Sequence, residues 1–284
     1  MPQRQEGGFL LYNNEIQNAF YRLSAKKIKF FSIGKTSLGK HIMCTHLGEK
    51  SGKQIVVVGA THAREYITTL LVCKMIEFYS HKKFDGGIYF IPMLNPDGVD
   101  ICINQTKNVH DEFIKKYIEK NVHDFSKFKA NANLVDINVN FPAKWGQGKH
   151  NENRPNFENF IGFSPASENE TKSIMNFLQN VKPDAVISYH SKGEEIYYNF
   201  DQNKKELKNH LAFAKLAKKL SGYKIKKLKG SVGGLKDWCI SSLKIPALTI
   251  EVGKNEFKHP IGKEYLPKIF QQNFKLPLLL FEKL

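Results

Sequence analysis

Cysteine is scarce in this chain. Its 284 residues hold four, Cys44, Cys73, Cys102 and Cys239, scattered and with no Cys-x-x-Cys pair. At this length and spacing a disulfide framework is excluded, and buried free thiols are expected. Long apolar runs are missing too. No stretch reaches the roughly 18–20 consecutive apolar residues that a membrane span requires. The first residues, Met1 to Gly8, carry no apolar leader segment, so the expectation is a soluble protein kept in the cytoplasm, with a mature secreted form left open. Internal repeats, low-complexity segments and Pro/Gly/Ser linkers are absent as well. Acidic residues are in deficit, 27 against 43 lysines and arginines, for a net charge of +16. Such a surface favours anionic partners: nucleic acid, anionic lipid or an anionic wall polymer. No arginine-rich or aromatic-interleaved run accompanies it, so no nucleic-acid motif is present. The lysines are spread along the chain and read as a solvated surface.

Strand-like and helix-like segments alternate. The run Ile55 to Gly59 is short and β-branched and reads as a buried strand, with helical spacing after it over Tyr66 to Tyr79. Gly87 to Met93 reads as a second strand ended by a turn, Asn95-Pro96-Asp97-Gly98. Ser167 and Glu170 match a capping box ahead of a helix over Thr171 to Val181. Asp184 to Tyr189 and Ala247 to Val252 are two further strands. Leu207 to Leu220 is a basic amphipathic helix. Leu266 to Lys275 is a closing helix, and Pro277 interrupts the apolar run after it. With 41% hydrophobic residues the chain can bury a sizeable core. The alternation predicts an α/β sheet covered on both faces, in a single domain spanning 1–284 with a core from about residue 10.

Ligands bind beyond the carboxyl ends of strands in such sheets. His62 and Glu65 lie just past the first strand, His190 ends the third, and Glu251 lies near the end of the fourth. Taken alone, His-x-x-Glu is a short pattern that chance supplies. A lone His190 fits a hydrogen-bonded core histidine, and a lone Glu251 fits a buried ion pair. Together, at strand ends, they make a candidate metal centre. His62, Glu65 and His190 form the two-histidine, one-carboxylate set of catalytic zinc sites, in which a fourth position is left for water. Glu251 is suited to take a proton from that water. Arg64, between two candidate ligands, could hold a developing oxyanion or a substrate carboxylate.

These residues resemble a known family. Thr61-His62-Ala63-Arg64-Glu65-Tyr66-Ile67-Thr68 resembles the metal-binding signature of zinc carboxypeptidases of the carboxypeptidase A type. Further matches come in family order: Ser32 to Lys35 with Leu38-Gly39-Lys40, Asn95 to Gly98, Asp136-Ile137-Asn138, His190, Gly233-Gly234 with Asp237-Trp238, and Thr249-Ile250-Glu251. The resemblance covers nearly the whole chain. It implies one α/β/α domain with a mixed, twisted sheet of about eight strands flanked by helices. It also implies one Zn²⁺ held by His62, Glu65 and His190, Glu251 as general base, and Arg64 assisting the oxyanion. Lys129 sits where the wider family has an oxyanion-stabilising arginine.

The departures bear on the substrate. Family carboxypeptidases grip a terminal carboxylate with an Asn-Arg pair and a mobile tyrosine. Here the pair reads Asn138-Val139, and alignment on Gly233-Gly234 puts Lys229 at the tyrosine position. Valine cannot hydrogen-bond a carboxylate, and lysine is a point charge on a flexible stem. Both argue against ordinary C-terminal trimming. Asp136-Ile137-Asn138-Val139-Asn140-Phe141, then Trp145-Gly146, then Asn159-Phe160-Ile161-Gly162 are similar to the bacterial γ-D-glutamyl-L-diamino-acid peptidases, as are Ser188 to Gly193 and Gly233 to Cys239. Ala132-Asn133-Leu134-Val135-Asp136 departs from that branch, lacking an arginine and a glycine.

The resemblance implies hydrolysis of the bond between D-glutamate and meso-diaminopimelate, or lysine, in peptidoglycan stem peptides or muropeptides. Such a substrate is anionic, and Asn138, Lys192, Lys229 and Lys236 are candidates to bind it, beside a plain surface-lysine reading of the three lysines. Three alternatives stand: a metallocarboxypeptidase for ordinary peptides, a zinc-less wall-binding module, and a nucleic-acid binder resting on charge alone.

Overall fold

The computed structural model describes residues 13–227, 230–281 and 283–284. The first helix, α1 (Asn14–Ala25), starts at Asn13, whose side chain accepts from Ile16 N at 3.1 Å. After it come strands β1 (Phe31–Lys35), β2 (His41–Gly48) and β3 (Gln54–Val58), then α2 (Ile67–Tyr79) and β4 (Gly87–Ile91). Next are α3 (Pro96–Asn104), α4 (Glu112–Asn121), a long looped stretch, and α5 (Asn169–Val181). The remaining elements are β5 (Ala185–His190), β6 (Glu195–Tyr197), α6 (Lys204–Ser221), β7 (Lys224–Lys226), α7 (Leu235–Trp238), β8 (Ala247–Glu251), α8 (Leu266–Asn273) and α9 (Leu276–Phe281). No helix among the described residues is long and apolar enough to cross a membrane.

The eight strands form one mixed sheet in the order β1-β2-β4-β3-β5-β8-β6-β7. Strands β4, β3, β5 and β8 run parallel at its centre; β2 joins antiparallel on one side and β6 on the other. The central strands are apolar on both faces because both faces are covered. In β3, Ile55 and Val57 pack with α1, α2, α6, α8 and α9, while Val56 and Val58 pack with α5 and α7. All four are fully buried, and each such side chain contributes about 1.5–3 kcal/mol of burial. Sandwiched between the sheet, α1 and α8, α2 is buried almost all round. A third apolar cluster, with Ala63, Ile101, Ile118, Phe128 and Leu134, supports the loops above the sheet.

The strand order positions the site. Strand β4 lies on one flank of β3 and β5 on the other, so the connections leave β3 and β5 in opposite directions and a crevice opens at their carboxyl ends.

Three local expectations are corrected. Asn95-Pro96-Asp97-Gly98 is no turn: it opens α3, with Asn95 Oδ1 accepting from Gly98 N at 2.9 Å and Pro96 in the first helical turn. Turn residues and helix-start residues are the same chemistry, so sequence alone did not separate them. The Ser167–Glu170 capping box does not form. Glu168 is the residue before α5, and the Ser167 hydroxyl donates to Glu168 Oε1 at 2.6 Å. A capping box does form at α6, where Asn203 and Glu206 cap each other. Pro277 lies in the first turn of α9, where a missing N–H costs nothing. All four cysteines are free and buried, as expected.

Candidate metal centre

Past β3 the backbone is pinned tightly. A side chain at Gly59 would place its Cβ 2.8 Å from Pro92 O and 2.9 Å from Thr68 O. Ala60 N donates to Thr68 Oγ1 at 2.7 Å, and that hydroxyl donates to Glu65 O at 2.7 Å. Ala63 N donates to Lys129 O. Between these anchors, Ala63–Glu65 make one 3₁₀ turn with His62 as its cap. Residues three apart eclipse in such a turn, so His62 and Glu65 project together. His190 arrives from the last position of β5.

The three side chains converge and are buried. His62 Nδ1 is 2.9 Å from Glu65 Oε1; His190 Nδ1 is 3.1 Å from His62 Nδ1 and 3.2 Å from Glu65 Oε2. Ligands 2.0–2.1 Å from a tetrahedral zinc stand about 3.3 Å from one another, so the donor set and its spacing fit the ion. The two facing imidazole nitrogens, 3.1 Å apart, are satisfied either by one N–H proton or by a metal ion shared between them. The outer atoms are held as well. Ser188 Oγ lies 3.0 Å from His190 Nε2, Ser191 N donates to Glu65 Oε2 at 3.2 Å, and Asp136 Oδ1 lies 3.2 Å from His62 Nε2, close but off the hydrogen-bond line. Such partners orient metal-binding side chains.

Charges balance within this cluster. Burial would raise the Glu65 carboxyl, but His62 and His190 hold it well below the usual carboxylate range. Burial would lower His62, but Glu65 and Asp136 raise it despite Lys129. Asp136 is buried too, and Lys129 and His62 pull its carboxyl far down. Lys129 Nζ is 2.7 Å from Asp136 Oδ2; burial works to lower this ammonium, and Asp136 and Glu65 raise it.

Glu251 is the neighbour of His190 across the β5–β8 pair and of Glu195 across the β6–β8 pair. Its carboxyl is pushed up to about 8 by burial and then by Glu65, with His190 and Lys129 opposing. Arg64 stands at the rim, its Nη1 donating to Lys127 O at 2.9 Å and to Glu158 Oε2 at 3.4 Å.

The candidate substrate groups are placed differently. Asn138 Oδ1 accepts from Leu235 N at 3.2 Å, and a Cβ on Gly234 would stand 2.8 Å from it. Val139 is buried. Lys192 Nζ donates to Asn255 O at 2.6 Å and to Phe257 O. Lys236 is buried, donating to Asn199 O at 2.9 Å and paired with Asp237. Lys229 lies outside the described residues. Sequence reading missed Asp136, Ser188 and Ser191 as site residues. Asp136 had a signal, a lone carboxylate inside Leu134-Val135-Asp136-Ile137, while the two serines had none.

The zinc carboxypeptidase family model matches residues 18–276. The chain is 29% identical over 246 residues to the uncharacterized protein YqgT of Bacillus subtilis, covering 79% of this chain and 64% of that protein. It is 28% identical over 249 residues to gamma-D-glutamyl-L-diamino acid endopeptidase 1 of Lysinibacillus sphaericus, covering 81% and 62%. It thus spans less than two thirds of the length of these two relatives. Bovine thrombin-activatable fibrinolysis inhibitor, solved with a tick carboxypeptidase inhibitor, shares the fold: TM-score 0.71, 19% identity, 94% of this chain and 93% of that one.

Proposed function

From the premise that this chain belongs to the zinc carboxypeptidase family, a family of metallopeptidase hydrolases, we propose that it hydrolyses the γ-D-glutamyl–diamino-acid bond of peptidoglycan stem peptides. The observation that carries this finer reading is the Asn138–Val139 pair. Val139 is buried, and the family resemblance puts at its position the arginine of a C-terminal carboxypeptidase's carboxylate clamp, while the similarity to a gamma-D-glutamyl-L-diamino acid endopeptidase supports the alternative bond.

His62, Glu65 and His190 would hold zinc, which when bound supplies Lewis acidity toward the scissile carbonyl and the attacking water. Glu251 takes a proton from that water as its oxygen adds to the γ-carbonyl carbon. Burial and then the Glu65 charge raise the Glu251 carboxyl, and a bound Zn²⁺ would offset that charge and favour the ionised base. As the C–N bond breaks, Glu251 passes the proton to the leaving amine. Lys129, alongside its Asp136 pair, stabilises the negative charge that builds on the carbonyl oxygen. Arg64, whose Nη1 is already bonded to Lys127 O and Glu158, takes the other role open to it, toward a substrate carboxylate. Asn138, whose Oδ1 is held by Leu235 N, keeps its amide N–H groups for the substrate. Lys192 and Lys229 supply positive charge to an anionic substrate, while Lys236, buried and paired with Asp237, does not.

The test is digestion of L-Ala-γ-D-Glu-meso-diaminopimelate, with and without a zinc chelator, read by mass spectrometry. Chelator-sensitive release of diaminopimelate and L-Ala-D-Glu is expected. No release, with cleavage of ordinary peptides at a free C-terminus, would replace this reading with the carboxypeptidase one.

A further inference from the structure

Beside the metal centre lies a cavity of about 470 Å³ whose lining includes Arg64, Lys127, Lys192, Lys258, His259 and Glu256. It abuts the centre through two segments. Arg64 sits between the candidate ligands His62 and Glu65, and Lys192 lies two residues beyond His190. Four permanent cations thus face one carboxylate, and that carboxylate, Glu256, lies 3.3 Å from the exposed Lys254.

The cavity's donors are only partly used. Arg64 spends Nη1 on Lys127 O and Glu158, but its Nε is buried and has no protein partner. His259 Nδ1 is likewise buried without a protein partner. Lys192 makes two bonds, to Asn255 O and Phe257 O, and an ammonium has three N–H groups. Lys127 stands 3.4 Å from Asp124 in solvent, where pairing is weak. Burial lowers His259 to about 4, so at neutral pH its ring offers a hydrogen bond and no charge.

Unused cationic donors converging on a concave surface call for an anionic oxygen pair. We infer that this cavity seats a carboxylate of the substrate, held by Arg64 and Lys192 and drawn in by Lys127 and Lys258 at the rim. The inference rests on the proposed bond, since a γ-linked glutamyl residue leaves its α-carboxylate free close to the scissile carbonyl. A carboxylate of the diamino acid offers the same chemistry from the other side of the bond.

The experiment measures kcat and KM separately for metal-loaded enzyme on three substrates: L-Ala-γ-D-Glu-meso-diaminopimelate, its glutamyl α-carboxamide, and its diaminopimelate carboxamide. It compares the wild type with the exposed-rim double variant Lys127→Ala/Lys258→Ala. A control, Lys215→Ala/Lys219→Ala on the solvent face of α6, removes the same net charge elsewhere. The rim variant is expected to raise KM for the tripeptide roughly tenfold with little change in kcat, and the control to leave KM unchanged. The carboxamide that is insensitive to the rim change identifies which carboxylate occupies the cavity. An equal KM rise on all three substrates, or none, would overturn the assignment. Should the wild type cleave none of them, calorimetric binding of L-Ala-γ-D-Glu and its diamide decides separately. Carboxylate-dependent binding that the rim variant loses upholds the cavity while the bond assignment fails, and binding indifferent to either change overturns the cavity too.

Discussion

Glu65 and Glu170 are both buried glutamates, 4% and 0% exposed, and their carboxyl groups move in opposite directions. Glu65 lies among His62, His190 and Ser191 N and is held ionised. Glu170 is pushed up to about 8 by burial, with Asp97 and Glu168 adding to the rise. Its Oε2 accepts from Asn131 Nδ2 at 3.2 Å, and its Oε1 is buried with no protein partner. The nearby Glu168 is better served, accepting from Asn131, Asn133 and Ser167. Burial alone therefore does not decide the charge of a carboxyl group. Converging cations and N–H donors do. Only the first region brings three metal-competent donors within 4.8 Å of one another among the described residues. The second ties loops together and takes a proton.

The sharpest way to break the comparison is to remove a donor from the first region. His190→Ala is expected to lose bound zinc, by elemental analysis, and all measurable turnover; a zinc-replete, active variant would end the ligand assignment. Next in size, Glu251→Gln should keep its metal and lose about 10²–10⁴-fold in kcat. Near-normal turnover would show that another group moves the proton. Asp136→Asn removes the charge between His62 and Lys129 and should cost about 10–100-fold in metal affinity by competition with a chromogenic chelator. An unchanged affinity would leave Asp136 as the partner of Lys129 and of the Asn138 N–H alone.

The smallest effect belongs to the second region. Glu170 folds with a raised pKa, against an unfolded value of about 4.3, so its contribution to stability is complete below pH ~4 and is lost as pH rises through about 8. Glu170→Gln removes that slope. Its Tm, measured with saturating metal, should match or trail the wild type at pH 5 and exceed it at pH 9, by about 2–4 °C for each kcal/mol relieved. A pH-independent difference would mean that Glu170 is ionised in the fold.

Much of this was legible in the chain. The β-branched run ending at Val58 and the apolar run of β8 marked strands because both faces of each are buried, and that double burial leaves a continuous pattern. His62 and Glu65 were readable because they sit three apart at a strand end. Strands β1, β2, β6 and β7 were not read from periodicity. They are short or partly exposed, so their hydrophobic signal is weak, and the eight-strand expectation came from family resemblance. Asn95 to Gly98 misled because a helix start and a turn use the same residues.

The sequence by itself determined the donor types, an α/β sheet covered on both faces, and the family. Those come from local chemistry: which side chains hold metal, and which runs must be buried. The tertiary structure decided what each charge does. Lys236 looked like an open cation and is paired within the protein, while Arg64 and Lys192 meet Lys127 and Lys258 at one cavity wall from four separate segments. Electrostatic roles depend on distances across the fold, and spacing along the chain does not carry them.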